Sequence, residues 1–425
     1  MSPTETPVRD PATATPGRAR HAAPLVPGSR GRVVGIDAAR GLALLGMMAV
    51  HALYVSDAAG APTWVGRIAS GNAAALFAVL AGVGVAFMTG RTRVTGAGPA
   101  RRAGAALVAR AGVIGLLGLV LGSVTEAEVA AVILPAYAVL FVLAVPLVLL
   151  PTPLLVGGAV LGAAGLPALS HLVRAGMPPP ALANPSLGRL VTDPTGLLRE
   201  LLVTGTYPAL TWIPYLAIGL ALGRAHLRSP RFAAGLAAGG AALAAAASGA
   251  SAFLLGPCGG LATLSATSAA AGLDPADLRE ILASGADGTT PTTTWWWLAV
   301  DAPHTSTPLD LARTTGIALA VVGVMLCLDA AQRPSLRAAV TVLRAPLAAA
   351  GAMTLTLYTA HVLFLNSPFD VYAPVPGYIV QVVAVLLLGL AWRATAGRGP
   401  LETVASAAGA RAARALSPER GSTPP

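Results

Sequence analysis

The chain has 425 residues, of which 55% are apolar and a further 48 are glycine, while only 11% are charged. A soluble domain carries about 25% charged residues, so one or two ordinary soluble domains are excluded and the chain reads as an all-α integral membrane protein. The net charge of +10 comes from 28 basic residues, all arginine; they sit at the ends of apolar segments and do not gather on one folded face, which argues against nucleic acid as a partner.

Residues 1–34 are rich in Pro, Thr, Ala and Arg with no apolar core segment, and read as a disordered cytoplasmic tail, not a signal peptide. Apolar runs follow near 36–55, 70–90, 104–123, 129–149, 153–173, 207–223, 232–256, 311–331, 345–366 and 377–396. Each is close to the ~20 residues that a spanning helix needs, which predicts a polytopic bundle of about ten transmembrane helices. Arginine clusters such as Arg91 to Arg102, Arg224 to Arg231 and Arg333 to Arg344 fall in alternate connections. Positive charge stays inside, so both termini are expected in the cytoplasm. Fusing the fourth and fifth runs across Pro151 and Pro153 would place Arg224, Arg228 and Arg231 outside, against the same rule. The expected organisation is therefore a tail at 1–34, an N-terminal bundle at 35–256, an outer loop at 257–310, a C-terminal transmembrane region at 311–396 and a cytoplasmic tail at 397–425. Trp295, Trp296 and Trp297 in the outer loop read as an interfacial anchor, with substrate stacking as the alternative. Cys258 and Cys327 are too few for a disulfide framework and are expected to be free.

In the first run, Asp37, Arg40, Leu44, Met47 and His51 follow a 3-4-3-4 spacing and share one helix face. Arg40 and His51 are then about 16 Å apart along the axis. Ionisable groups in a span are costly unless they face a partner or a polar cavity. Asp37 and Arg40 either pair at the helix entrance or meet a ligand, and His51 is either a core hydrogen-bond donor or a proton-transfer group. His304 precedes the eighth run on the outer side, and His361 lies 17 residues past Arg344 in the ninth, so three histidines are expected at similar depth. None has a metal-ligand spacing, and no metal is expected; acid–base work suits imidazole. Glu126, Glu128 and Asp301 are candidate orienting carboxylates, or simply solvated loop residues.

The stretch RVVGIDAARGLALLGMMAVH, followed by LFAVLAGVGVAFMTGR, resembles the opening of bacterial heparan-α-glucosaminide N-acetyltransferase-like proteins, and TGTYPALTWIPYLAIGLALGR at 204–224 fits the same group. Residues 303–323, 347–363 and GRGPLE at 397–402 are similar to the C-terminal region of YeiB-like membrane proteins. Arg40 and His51, with ten residues between them, also resemble the Arg/Lys-x10-His element of the acyltransferase-3 family. The resemblance implies a plasma-membrane acyltransferase that takes acyl-CoA, with acetyl-CoA first among donors, from the cytoplasm and passes the acyl group to an extracytoplasmic glycan or glycolipid. On an acyl-transfer reading Arg40, Arg91 and Arg93 are expected to hold the donor phosphates, His51 to act as base or nucleophile with His304 and His361 as further catalytic-site histidines, and Asp37, Tyr207 and Tyr358 to contact substrate. Lysosomal members carry their active histidine in the loop after the first span; residues 56–69 contain none, so the role passes to His51 or is absent. The alternative is a transporter or lipid flippase without acyl transfer, and homo-oligomerisation is left open.

Overall fold

A computed structural model of the chain describes residues 32–178, 180–330 and 334–416. Most of the expected N-terminal tail, Arg333 and the last nine residues lie outside these. In chain order the helices are α1 (Val34–Ala52), α2 (Trp64–Ile68), α3 (Asn72–Met88), α4 (Ala97–Gly122), α5 (Leu134–Leu147) and α6 (Thr152–Arg174). They continue with α7 (Leu187–Thr192), α8 (Pro194–Arg199), α9 (Ala209–Arg224), α10 (Pro230–Leu255), α11 (Gly260–Ala270) and α12 (Pro275–Ser284). The last five are α13 (Pro308–Asp329), α14 (Pro334–Gly351), α15 (Thr354–Leu365), α16 (Pro374–Thr395) and α17 (Pro400–Ala415). Among the described residues the only β pairing is an isolated bridge between Ser56 and Pro62, so the all-α expectation holds.

Seven of these helical stretches are long and apolar enough to cross a membrane, and nine if two bent pairs each count as one span. One pair joins Pro194–Thr204 to α9 at 54°, and the other joins Val340–Gly351 to α15 at 77°. The run at 129–149 folds as α5 with only 14 residues, short of the ~20 residues a straight span requires. Seven to nine of the ten expected spans therefore meet the length of a crossing, two of them as bent pairs, and the run at 129–149 is the short one. Pro151 and Pro153 do break the chain: α5 ends at Leu147 and α6 begins at Thr152, and the two helices pack on different neighbours, α5 on α4 and α6 on α9.

Small residues set the helix crossings, as they do where lipid offers no hydrophobic drive between helices. A Cβ on Gly41 would collide with the Leu347 carbonyl of α14, and one on Gly351 would meet the Asp37 carbonyl of α1. Gly82 of α3 and Gly219 of α9 approach each other's helix backbone in the same way. The N-terminus of α1 is closed by the Asp329 carboxylate, which accepts from the Gly35 amide at 2.6 Å and pairs with Arg344.

Residues 257–310 have a small core of their own, built from Leu264, Leu278, Trp297, Val300 and Ala302. Trp297 is fully buried there, donating Nε1–H to Thr293 Oγ1 at 3.0 Å. Of the three tryptophans, only Trp295 is exposed, so the triplet is not a uniform interfacial anchor: a turn of 3-10 helix over Trp295–Ala299 sends the rings in different directions. The segment expected as a cytoplasmic tail carries α17, which lies on α4 and α15. Its Glu402 accepts from the Leu355 and Thr356 amides at 2.6 and 3.2 Å and from Thr356 Oγ1 at 2.7 Å. These are amides of the first turn of α15, which lack partners within their own helix.

Candidate functional site

The face of α1 that bears Asp37, Arg40, Leu44, Met47 and His51 turns inward, with Asp37, Leu44 and Met47 buried. Leu44 and Met47 belong to the main apolar core, so they separate Arg40 at one end of the helix from His51 near the other.

At the His51 end, a cavity of about 20 Å³ is lined by Met47, His51, Gly71, Tyr207, His304 and Tyr358, among others. That is room for about one water. His51 Nδ1 and His361 Nε2 are 3.2 Å apart, and the two ring planes are 6° from parallel with centroids 5.4 Å apart. His361 Nδ1 in turn meets Gln381 Oε1 of α16 at 2.6 Å. Tyr358 faces His51 with centroids at 6.3 Å, and its hydroxyl is buried near the Ile133 backbone. The three histidines and two tyrosines singled out from the sequence therefore converge, His361 through its contact with His51. Tyr207 and Ala131 also stand in the wall of a second cavity of about 240 Å³, lined further by Glu128, Asn184, Glu200 and Asp287. Glu200 is neutralised within that wall by a bidentate pair with Arg189 at 2.5 and 2.8 Å.

His304 is held in an uncommon backbone conformation, φ 55°, inside a loop pinned by Arg313. Arg313 donates Nε–H to the Asp301 carbonyl at 2.9 Å and lies 3.7 Å from both Asp301 Oδ2 and Asp310 Oδ1. Gly71, with φ +69°, lies directly against Pro303. The His304 ring meets Tyr207 edge-on at 5.7 Å, and its Nδ1 is buried without a partner among the described residues. Loss of solvent, followed by the nearby Arg313 charge, lowers the His304 pKa from 6.5 to about 4. A depressed histidine pKa stabilises the fold above the unfolded value and withdraws that stability as pH falls. The expected result is a wild-type Tm that drops relative to His304→Gln between pH 6.5 and 4 and a difference that is constant above that window. A difference that does not change with pH would show that His304 is not held neutral.

At the other end of α1, Arg40 donates Nη1–H to Asp37 Oδ1 at 3.2 Å and Nη2–H to the Leu80 carbonyl at 3.4 Å, and its side chain is 22% exposed. Arg110 of α4 stands within electrostatic reach of Arg40 and Glu402, lies over the Phe141 ring, and has a buried Nε without a partner among the described residues. A partly exposed guanidinium within electrostatic reach of an incompletely satisfied one fits an anionic group. Arg91 and Arg93 sit elsewhere. Arg91 donates to the Gly223 and Ala225 carbonyls at 3.0 and 2.6 Å and so closes the end of α9, while Arg93 donates to the Leu149 carbonyl at 2.7 Å. Gly84 leaves open the space next to Arg40: a Cβ there would come within 3.4 Å of Nη2. Gly84→Leu is expected to displace the guanidinium and weaken anion binding roughly 10-fold with little loss of stability. Titration of the purified protein with a nucleotide diphosphate would check this, and unchanged affinity would remove Arg40 from the site.

The sequence reading passed over three members of this site. Arg110 lies inside the apolar run at 104–123. Gln381 is the lone amide of the last run. Arg313 stands at the start of the eighth. In each case the available signal was a polar side chain within a spanning segment.

A multi-pass membrane protein with an inward-facing helix that carries arginine at one end and a histidine–tyrosine cluster towards the other is the class that this fold and site define. The chain belongs to the heparan-alpha-glucosaminide N-acetyltransferase family, whose catalytic-domain model matches residues 32–253. The match contains α1, α3, Arg40, His51 and Tyr207, and it ends before His304, His361 and Gln381. No curated protein and no solved structure matches the chain.

Proposed function

We propose that the chain transfers an acyl group, acetyl first, from cytoplasmic acyl-CoA to a sugar hydroxyl or amine of an extracytoplasmic envelope glycan or glycolipid. The setting is a plasma membrane crossed ten times with both termini inside. The observation that carries this reading is α1 itself, which bears Arg40 at one end, within electrostatic reach of Arg110, and presents His51 to a cavity shared with Tyr207, His304 and Tyr358 towards the other. Arg40 and Arg110 would hold donor phosphates; guanidinium forks suit phosphate. Asp37 orients Arg40. The acceptor enters the 240 Å³ cavity and reaches the histidines past Tyr207.

His51 takes the proton from the acceptor hydroxyl or amine as the new C–O or C–N bond forms. The thioester C–S bond breaks, and the thiolate leaves with the proton returned through His51. Tyr358 donates to the carbonyl oxygen as it gains charge. An acyl-imidazole route through His51 uses the same groups in two steps. Leu44 and Met47 close the face between the two ends, so the acyl thioester must part them to meet His51.

The test is purified protein in vesicles supplied with labelled acetyl-CoA on one side and envelope extract on the other. Label is expected in glycan or glycolipid on the far side only. Movement of an intact lipid or solute with no transferred label would replace this reading with the transporter. Reporter fusions after residues 95 and 228 are expected to report cytoplasm, and a fusion after 275 the outside. A cytoplasmic signal at 275 would overturn the ten-span topology.

A further inference from the structure

We infer that Gln381 is a positioning residue that, through His361, sets which nitrogen of His51 carries the proton. α16 is an apolar helix whose buried positions, Gly377, Gln381, Val385 and Gly389, recur every four residues and form one stripe. Gln381 is the one amide on that stripe. An amide in a span is costly unless its polar atoms are satisfied, and its Oε1 is satisfied by His361 Nδ1 at 2.6 Å. The register is held nearby by Tyr378, one turn earlier, which donates to the Leu45 carbonyl of α1 at 3.2 Å.

The consequence follows from hydrogen-bond valence. An amide oxygen only accepts, so His361 Nδ1 carries a hydrogen. In a neutral imidazole the other nitrogen is then bare, and His361 Nε2 accepts. Its partner at 3.2 Å, His51 Nδ1, must donate. His51 is left with Nε2 as its unprotonated nitrogen, the form a general base requires, on a ring that lines the cavity. The two ring planes are 6° from parallel with centroids 5.4 Å apart, so the rings meet edge to edge across the 3.2 Å between the two nitrogens. Without Gln381 nothing on this chain of contacts selects one tautomer of His361, and the selection at His51 is lost with it. Gln381 lies outside the residues that carry the family match, as does His361, so this part of the site is supplied by the C-terminal region.

The mechanistic use of the relay rests on the acyl-transfer reading, but the relay itself does not, and the experiment separates them. The full chain is prepared in lipid nanodiscs with nitrogen-15 histidine, and His51 is assigned by comparison with His51→Gln. Ring-nitrogen spectra of the wild type are expected to show His51 protonated at Nδ1 and bare at Nε2. Gln381→Leu, or Gln381→Met where the leucine variant fails to fold, is expected to give both rings mixed tautomers. Gln381→Glu, which keeps an acceptor, is expected to retain the wild-type pattern. In the vesicle assay Gln381→Leu is expected to lower kcat roughly 10–100-fold, the cost of removing a group that orients a working histidine, with both KM values within about twofold, and Gln381→Glu to recover most of that loss. An unchanged His51 tautomer in Gln381→Leu overturns the inference whatever the rate does. A tautomer that responds in a protein whose wild type transfers no label upholds the relay and sinks the acyl-transfer reading alone.

Discussion

His51→Ala is expected to insert and fold as the wild type does and to lose acyl transfer by at least ~10²–10⁴-fold, the range a positioned acid or base contributes. The ring lies at the cavity wall and is only partly buried, so its removal leaves the α1 contacts of Ile36, Leu44 and Met48 in the core untouched. The structural cost is the His361 Nε2 acceptor left without its partner, about 1–3 kcal/mol if no water replaces it, and the adjoining cavity has room for one. Donor binding should be nearly unchanged, because Arg40 lies about 16 Å away along the same helix. Arg40→Ala should give the converse: a raised donor KM that excess acyl-CoA partly rescues, with kcat held within a few-fold. His361→Ala and His304→Ala should fall between the two patterns, His361 through the orientation of His51 and His304 through the acceptor-side wall that it shares with Tyr207. The measurement is kcat and KM for labelled acetyl-CoA in vesicles across the four variants. A His51→Ala protein at the wild-type rate beside an inactive His304→Ala would move the base to the loop before α13.

The helical class was legible because apolar runs of about span length have no other stable form in a membrane. Which of the crossings are bent was not. One bend lies between Thr204 and Ala209 and another between Gly351 and Thr354, and both are set by neighbouring helices: Glu402 of α17, for instance, satisfies the amides that the second bend exposes. The convergence of His51, His304 and His361 could be anticipated by depth, from the sidedness that arginine placement predicts and a constant rise per residue. The hydrogen bond between His51 and His361 could not, because it needs the azimuth of α15 after its bend. Arg91 shows the opposite difficulty. As one of several inner arginines it reads as a phosphate ligand, yet with α9 beside it the same guanidinium lies on the last carbonyls of that helix, where cations are favoured.

Gly41→Leu is expected to abolish the folded protein, and Gly157→Leu to be tolerated. Both glycines lie in membrane-spanning helices, α1 and α6, so composition does not distinguish them. At Gly157 a Cβ would meet nothing within 4 Å, whereas at Gly41 it would run into the carbonyl and Cα of Leu347. Those are backbone atoms of α14, and α14 cannot yield by changing a rotamer. Overpacking that side chains can absorb costs about 1–3 kcal/mol; here α1 and α14 must separate, and the crossing is tightened from the other side by Gly351 against the Asp37 carbonyl. Separation would pull Asp37 and Arg40 out of register with Leu80 and draw α1 away from α15, so His51 would lose His361 at the same time. Gly41→Ala, with one carbon added, should fold with a lowered Tm and retain part of its transfer activity. The readout is the monodisperse fraction after solubilisation together with Tm, measured for all three variants. A Gly41→Leu protein with the wild-type Tm would mean that α14 does not lie against the arginine-bearing helix, and the placement of Arg40 and His51 on an inward face would have to be rebuilt.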